Sequence, residues 1–490
     1  MSVHTLFAAL NARAPAAPIL IGDQASWNAS ELLAELSTLE SLLADCRTLA
    51  VLADNSPAWV AADLAALRSG WIHLPLPTFF SPAQMLHALD LSGADAILTD
   101  QPERVTALDA GFAISARWNQ LALMRRTAIA VELPPGTAKI SFTSGSTGQP
   151  KGACLSAAGL LDTAQAVAAR LADLPIKRHL AVLPLSLLLE NTAGIYAALL
   201  NGATVHLPGL ATLGWKGMAG FDPAQLQDCA SRCQASSLIL VPELLKAWCL
   251  FLAGTRQTAP ESLIFAAVGG ARVTADAIGT ARTLGIPAYQ GYGLTECGSV
   301  VSINRPGDDA EGVGRPLDHV RIRVDGEEIR IAARAFLGYI GQPVTHAGDE
   351  FITGDLGSID AHGHIHLSGR RKNLLITSYG RNIAPEWVEA ALLAQPAIAQ
   401  AIVVGDARPW LSALLVPTHG AEPSHLDAAV ARANAALPDY ARIGGWIAAD
   451  PFTLQNGQAT GNGRPMRSAV LSHYTPQLET LYQETPHVLL

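Results

Sequence analysis

Residues 140–152 read Ile-Ser-Phe-Thr-Ser-Gly-Ser-Thr-Gly-Gln-Pro-Lys-Gly and gather hydroxyls, glycines and one lysine. Thr143, Ser144, Ser146 and Thr147 place four hydroxyls around Gly145. Gly145 and Gly148 let the backbone turn with its N–H groups exposed, and Lys151 adds a positive charge. Such a loop can wrap the oxygens of a polyphosphate. It is not a Walker loop, which ends in Gly-Lys-Ser/Thr, because Pro150 precedes Lys151. Composition alone is also met by a flexible Ser/Gly linker.

Two other stretches carry complementary groups. Gly291-Tyr292-Gly293-Leu294-Thr295-Glu296 offers glycines for close backbone approach, a flat aromatic face, a hydroxyl and a carboxylate able to hold Mg²⁺. Gly269-Gly270-Ala271 precedes it. Thr353-Gly354-Asp355-Leu356 puts an aspartate at a turn, where it can accept both hydroxyls of a ribose or simply close an Asp-type turn.

The elements that must position these groups read as an α/β pattern. Residues 138–142 predict a short strand, and Ser156 predicts the cap of an Ala/Leu-rich helix running to about Leu171. The polar loop is thus expected between a strand and a helix, where nucleotide phosphates are usually held. Earlier, apolar runs at 48–52 and 96–99 alternate with helices starting at Ser56-Pro57 and Ser81-Pro82, predicting a parallel sheet. Strands at the start of 179–191, at 237–241, 263–268 and 287–289 predict an open sheet with ligands beyond its carboxyl ends. Short β-prone runs at 319–324, 328–332 and 350–359 predict a small β subdomain. His362, His364 and His366 have a spacing that a metal could use, but Asp360-Ala-His-Gly363 reads first as a hairpin turn. Residues 374–377, 385–394 and 398–404 predict a new βαβ-like unit.

The fold class expected is α/β: a large N-terminal domain (1–370) of α/β subdomains plus a small β subdomain, then a small α+β C-terminal domain (371–490). With 490 residues, 49% of them hydrophobic, the chain is long enough for two or three cores. A formal charge of −9 gives no basic footprint for nucleic acid. No transmembrane span is expected, and neither is a signal peptide, because Asn11, Arg13 and Pro15 interrupt the first apolar run. The expected compartment is cytoplasmic, with the six cysteines as reduced thiols. Lysine is scarce: Lys139, Lys151, Lys177, Lys216, Lys246 and Lys372 are the full set.

Together with Gly369-Arg370-Arg371-Lys372, these stretches occur in an order that resembles the adenylate-forming superfamily, which includes acyl-CoA synthetases, peptide-synthetase adenylation domains and luciferases. The bacterial long-chain acyl-CoA synthetases are the branch it resembles most. That likeness rests on Val301-Ser-Ile-Asn304 with Gly312-Val-Gly-Arg-Pro-Leu317, on Asn382-Ile-Ala-Pro-Glu386 and on Val404-Gly-Asp-Ala-Arg-Pro-Trp.

The resemblance implies an acid–thiol ligase using ATP and Mg²⁺. A carboxylic acid becomes an acyl adenylate and is then passed to CoA or to the phosphopantetheine of a separate acyl carrier protein. It implies that Thr143, Ser144, Gly145, Ser146, Thr147, Gly148 and Lys151 hold phosphates. Tyr292 would stack on adenine within Gly269, Gly270, Ala271, Gly291 and Gly293, and Thr295 would contact the α-phosphate. Glu296 would bind the metal, and Asp355 and Arg370 the ribose. Lys372 would be the hinge on which the C-terminal domain swings. The family's catalytic lysine falls on Arg464, in Asn456-Gly-Gln-Ala-Thr-Gly-Asn-Gly-Arg-Pro-Met-Arg467. No lysine follows Lys372 to take that place by a register shift. Arg464 keeps the charge, with Gly461 and Gly463 beside it to give room; a non-catalytic relative that binds nucleotide is the alternative.

The family's amino-acid activators carry an aspartate in the turn that here reads Leu185-Ser-Leu-Leu-Leu-Glu190, so an apolar acid is expected. Glu190 is the only carboxylate nearby, and Leu187 stands where the long-chain branch has His.

Overall fold

The computed structural model describes residues 2–127, 130–143, 150–216, 220–309, 312–342, 349–378, 382–460 and 463–483, with residues 143 and 382 described by backbone alone.

The first sheet is built on Thr48–Leu52, flanked in parallel by Ile72–Pro75 and Ala96–Thr99. Every residue of Thr48–Leu52 is buried, as a strand covered on both faces requires. Helices Pro57–Ser69 and Pro82–Leu91 begin at the expected caps: Ser56 Oγ accepts from Trp59 N and Ser81 Oγ from Gln84 N, both at 3.2 Å. The sheet is mixed rather than parallel, however. Ala113–Trp118 and Leu121–Arg125 form an antiparallel hairpin at one edge.

At the other edge, Thr137–Thr143 pairs antiparallel with Lys151–Ser156. The polar loop therefore joins two antiparallel strands, which corrects the expected strand–loop–helix arrangement. The helix Ala157–Arg170 does start at Ser156, whose Oγ accepts from Gly159 N at 3.1 Å, but only after the second strand. No helix N-terminus follows the loop directly.

The second sheet carries the parallel strands Arg178–Leu180, Thr204–Leu207, Ser237–Leu240, Phe265–Val268 and Ala288–Leu294. Its first strand is shorter than the apolar run implies, and the chain then enters a π-helical segment, Leu189–Tyr196. A core that includes Trp59, Leu161 and Tyr196 fills the space between the two sheets. The expected small β subdomain is an antiparallel sheet of Arg321–Asp325, Glu328–Ala332, Glu350–Ile359 and Ile365–Arg370.

Beyond Arg370 the chain builds separate sheets over a separate core that includes Val388, Leu392 and Leu415. The βαβ reading needs correction here. Leu375–Ile376 pairs only with Asn382–Ile383, while Ile398–Val404 pairs antiparallel with Leu411–Pro417. The parallel crossover instead runs from Leu411–Pro417 through helix Pro423–Ala435 to Ile443–Ala448.

Candidate active site

The carboxyl ends of the second sheet open into a cavity of about 1950 Å³ bounded by both domains. Gly269, Gly270 and Ala271 line it just after the strand Phe265–Val268. Gly291, Tyr292, Gly293, Thr295 and Glu296 line it at the end of Ala288–Leu294 and in the tight turn Thr295–Cys297. Lys151, Arg370, Lys372 and Arg464 also reach its wall. Ser144, Gly145, Ser146, Thr147, Gly148 and Gly461 lie outside the described residues, as does the side chain of Thr143.

A register shift between Tyr292 and Gly293 bulges the strand against Ser299–Ile303. A Cβ at Gly293 would lie 1.6 Å from the Ser299 oxygen, so sheet packing alone demands that glycine. Ser299, at φ 102°, is held in a backbone region that L side chains rarely adopt, right beside the Thr295–Cys297 turn. Tyr292 is largely buried among Cys297, Val301 and Val313, and donates its hydroxyl to Asp355 Oδ2 at 2.6 Å. The other Asp355 oxygen receives Arg370 Nε at 2.7 Å. Asp355 is thus a buried junction behind the wall, joining Tyr292 to Arg370. Burial and the Asp355 carboxylate push the Tyr292 phenol well above its ordinary value.

Glu296 is held by a residue the sequence reading missed. Tyr339, on the strand Phe336–Tyr339, donates its hydroxyl to Glu296 Oε1. Its ring stands 5.7 Å from Lys151 Nζ. Burial and the Glu296 carboxylate raise the Tyr339 phenol, so it stays a donor. Glu296 keeps its second oxygen clear of that bond. Glu296 offers an oxygen ligand of the kind Mg²⁺ takes, on a wall whose cations Lys151, Arg370, Lys372 and Arg464 suit the oxygens of a polyphosphate.

Arg464 comes from the C-terminal domain, on a turn in which its backbone N–H donates to Thr460 Oγ1 at 3.2 Å and its carbonyl accepts from Thr460 N at 2.7 Å. Its Nη2 donates to the main-chain oxygen of Gly270. The sequence-predicted cation is thereby placed at the Gly269-Gly270-Ala271 segment.

Glu190 does not face the cavity. It is fully buried, and its oxygens accept from His179 Nε2 at 2.8 Å, Leu183 N at 2.9 Å and Val182 N at 3.2 Å. A Cβ at Gly194 would lie 2.2 Å from Glu190 Oε1, so the fold keeps glycine there. The neighbouring wall is apolar, with Val167, Leu171, Leu187, Ala193 and Ala197.

Behind the wall lies a buried charge cluster. Lys139 Nζ sits 2.8 Å from Asp63 Oδ1, and His73 Nδ1 lies 2.6 Å from the same oxygen. Asp63 Oδ2 accepts from Asn191 Nδ2 at 2.7 Å and Tyr196 OH at 2.6 Å. Burial pushes the Asp63 carboxyl up, but Lys139 and His73 outweigh it and hold it far below the usual range. The cluster ties the strand Thr137–Thr143 to the π-helical segment. A lysine in an apolar strand of a lysine-poor chain is the signal that could have exposed it.

His364 Nε2 pairs with Asp308 Oδ1 at 3.0 Å and His366 Nε2 with Asp360 Oδ2 at 3.1 Å, so these histidines serve the hairpin. No group of three or more metal-binding side chains forms among the described residues. Nor does any described helix have the length and apolarity to cross a membrane.

Residues 7–334 match the family model described as AMP-binding enzyme, and residues 372–486 match the AMP-binding enzyme C-terminal domain. The long-chain-fatty-acid–CoA ligase FadD15 of Mycobacterium bovis is 33% identical over 235 residues, covering 41% of this chain and 39% of that protein. The 2-succinylbenzoate–CoA ligase of Bacillus velezensis is 31% identical over 292 residues, covering 56% of each. The matched segments thus span about two-fifths to a little over half of these relatives. Among solved structures, O-succinylbenzoate coenzyme A synthetase from Bacillus subtilis in complex with AMP superposes with a TM-score of 0.74 at 22% identity, over 95% of this chain and 97% of that one. With both family models matched in order, the first over more than half of the chain, the protein belongs to the AMP-binding enzyme family, the adenylate-forming superfamily.

Proposed function

We propose that the protein is an ATP- and Mg²⁺-dependent acid–thiol ligase that activates an apolar carboxylic acid and passes it to CoA. The observation that carries this reading is the single cavity. It joins the Gly269-Gly270-Ala271 and Gly291–Glu296 segments, Lys151 and the C-terminal Arg464 to an apolar wall from which Glu190 is turned away, the described carboxylates of the cavity being Glu243 and Glu296.

A carboxylate is a poor electrophile. In the first half-reaction one of its oxygens attacks the α-phosphorus of ATP, the bond to the β-phosphate breaks, and pyrophosphate leaves. Catalysis there is positioning and charge neutralisation. Lys151 and Arg464 supply fixed positive charge, and Thr295 a hydroxyl. Glu296, oriented by Tyr339, would hold Mg²⁺, which when bound offsets charge on the phosphate oxygens. In the second half-reaction a thiol loses its proton, its sulfur attacks the acyl carbon, and AMP leaves. Arg371–Asn373, a single tight turn between the domains, is the place for the hinge.

The likeness to CoA ligases named for long-chain fatty and 2-succinylbenzoic acids supports a small acid and CoA as substrates. The apolar wall and the inward-turned Glu190 favour a fatty or aryl acid over an amino acid, whose ammonium would lack a partner. The test is pyrophosphate release across a panel of acids, with and without CoA. The reading expects release with apolar acids and thioester only when CoA is present. Preference for an α-amino acid would overturn the substrate class.

A second reading, a nucleotide-binding relative without catalysis, rests on Arg464 standing where the family has lysine. The contact of Arg464 with Gly270 favours the active form.

A further inference from the structure

The two domains meet through a second cation besides Arg464. The helix Pro242–Thr255 begins beside the nucleotide wall, where Val241 Cγ1 would lie 3.5 Å from a Cβ at Gly270. One turn along it, half-buried Lys246 points into the C-terminal domain. There its Nζ donates to the main-chain oxygens of Leu393, Gln395 and Ile398 at 2.6, 2.8 and 2.6 Å.

An ammonium has three N–H donors, and all three are used. Gln395 O already accepts from Ile398 N at 3.2 Å, so it is the carbonyls of Leu393 and Ile398 that gain most from an outside donor. Leu393 closes the helix Pro385–Leu393, whose last carbonyls have no intrahelical partner and carry the negative end of its dipole. Ile398 stands opposite Pro417, which has no N–H to give. Lys246 is therefore a helix C-cap supplied by the opposite domain.

We infer that Lys246 is a positioning residue for adenylation: by capping helix Pro385–Leu393 it docks the C-terminal domain in the orientation that sets Arg464 against Gly270. This rests on the proposed adenylation reading. Lys246 touches neither nucleotide nor acid and acts through domain position. Its three bonds exist only in this orientation, so they must break whenever the C-terminal domain turns to admit a thiol. The cap then favours the first half-reaction and opposes the second.

The test compares the full-length native chain with Lys246→Met, a substitution that keeps the stem and removes the donors. X-ray scattering reports domain docking without any chemistry, and pyrophosphate–ATP exchange reports adenylation. The variant is expected to have a larger radius of gyration and exchange slowed about tenfold, as losing charge-assisted bonds of this kind implies. Thioester formation from supplied acyl adenylate should hold or rise. A variant as compact as the native chain overturns the inference, whether or not exchange slows, and so does equal loss of both half-reactions. If the variant opens while neither protein exchanges with any acid, docking by Lys246 stands and the adenylation reading fails.

Discussion

Tyr339 holds Glu296 by a hydrogen bond to Oε1 while its ring stands 5.7 Å from the Lys151 ammonium. One aromatic side chain thus touches the proposed metal carboxylate and the proposed phosphate lysine. Phe336 and Phe351 fix it in turn: Phe336 packs edge-on against both Tyr339 and Phe351 at 5.0 and 5.5 Å. Tyr339→Phe keeps the ring and deletes the bond. It is expected to raise the Mg²⁺ needed for half-maximal exchange about three- to tenfold, the worth of one net hydrogen bond, with a smaller change in the maximal rate. Titrating Mg²⁺ at saturating ATP reads this, and an unchanged Mg²⁺ requirement would remove Tyr339 from the metal's support.

The buried Asp63–Lys139 pair makes a stability prediction. Lys139→Met leaves a carboxylate without its main counter-charge, and should cost about 3–5 kcal/mol. Adding Asp63→Leu should recover much of that loss, since the unpaired charge is then gone. Urea unfolding of the single and double variants decides it; equal losses in both would mean that packing, not charge, matters there.

His319 sets an acid limit. Its Nε2 lies 3.0 Å from Thr163 Oγ1, and Thr163 donates onward to Gly159 O, so His319 gives the proton from Nε2 and is neutral. Burial pushes its pKa down to about 4 from 6.5. The unfolded chain takes the proton first as pH falls, so this residue costs stability progressively between pH 6.5 and about 4 and nothing above. His319→Gln should retain roughly 1–3 kcal/mol more than the native chain over that window, relative to neutral pH. Parallel pH profiles would contradict the assignment.

The turn Arg371–Asn373 is tied to one domain by Arg371 Nε to Glu328 Oε1 at 3.3 Å and to the other by Asn373 Nδ2, which donates to Glu386 Oε1. Lys372→Pro, by stiffening it, should permit pyrophosphate exchange and block thioester formation. Equal loss of both half-reactions would argue against a hinge there.

What could be read from sequence was what is local. The Ser56-Pro57 and Ser81-Pro82 starts and the ordered chemical stretches are contiguous, and each carries its own signal. The hairpin at residues 113–125 was missed because its turn uses Asn119 and Gln120 at φ 44° and 68° instead of glycine. The strand Lys151–Ser156 was missed because its run, Lys-Gly-Ala-Cys-Leu-Ser, holds no β-branched or aromatic residue to mark it as a strand. Tyr339, Lys139 and Lys246 matter through partners far off in the chain, such as Glu296, Asp63 and Leu393. No periodicity encodes those pairings. Scarcity of lysine is the one cue, and by itself it only rules out a register shift that would bring a lysine to the place of Arg464.

The central claim is that Arg464, held at Gly270, supplies the charge for adenylation in place of lysine. Its guanidinium is planar and bulkier than an ammonium, but it can clamp two oxygens at once. Acid-dependent pyrophosphate–ATP exchange tests the claim most directly, measured for the native chain, Arg464→Ala and Arg464→Lys. The account predicts exchange by the native chain with an apolar acid, and a loss of at least about tenfold in Arg464→Ala. Thioester formation from supplied acyl adenylate should be spared in that variant. A native chain that binds ATP yet exchanges with no apolar acid, while Arg464→Lys does exchange, would contradict it.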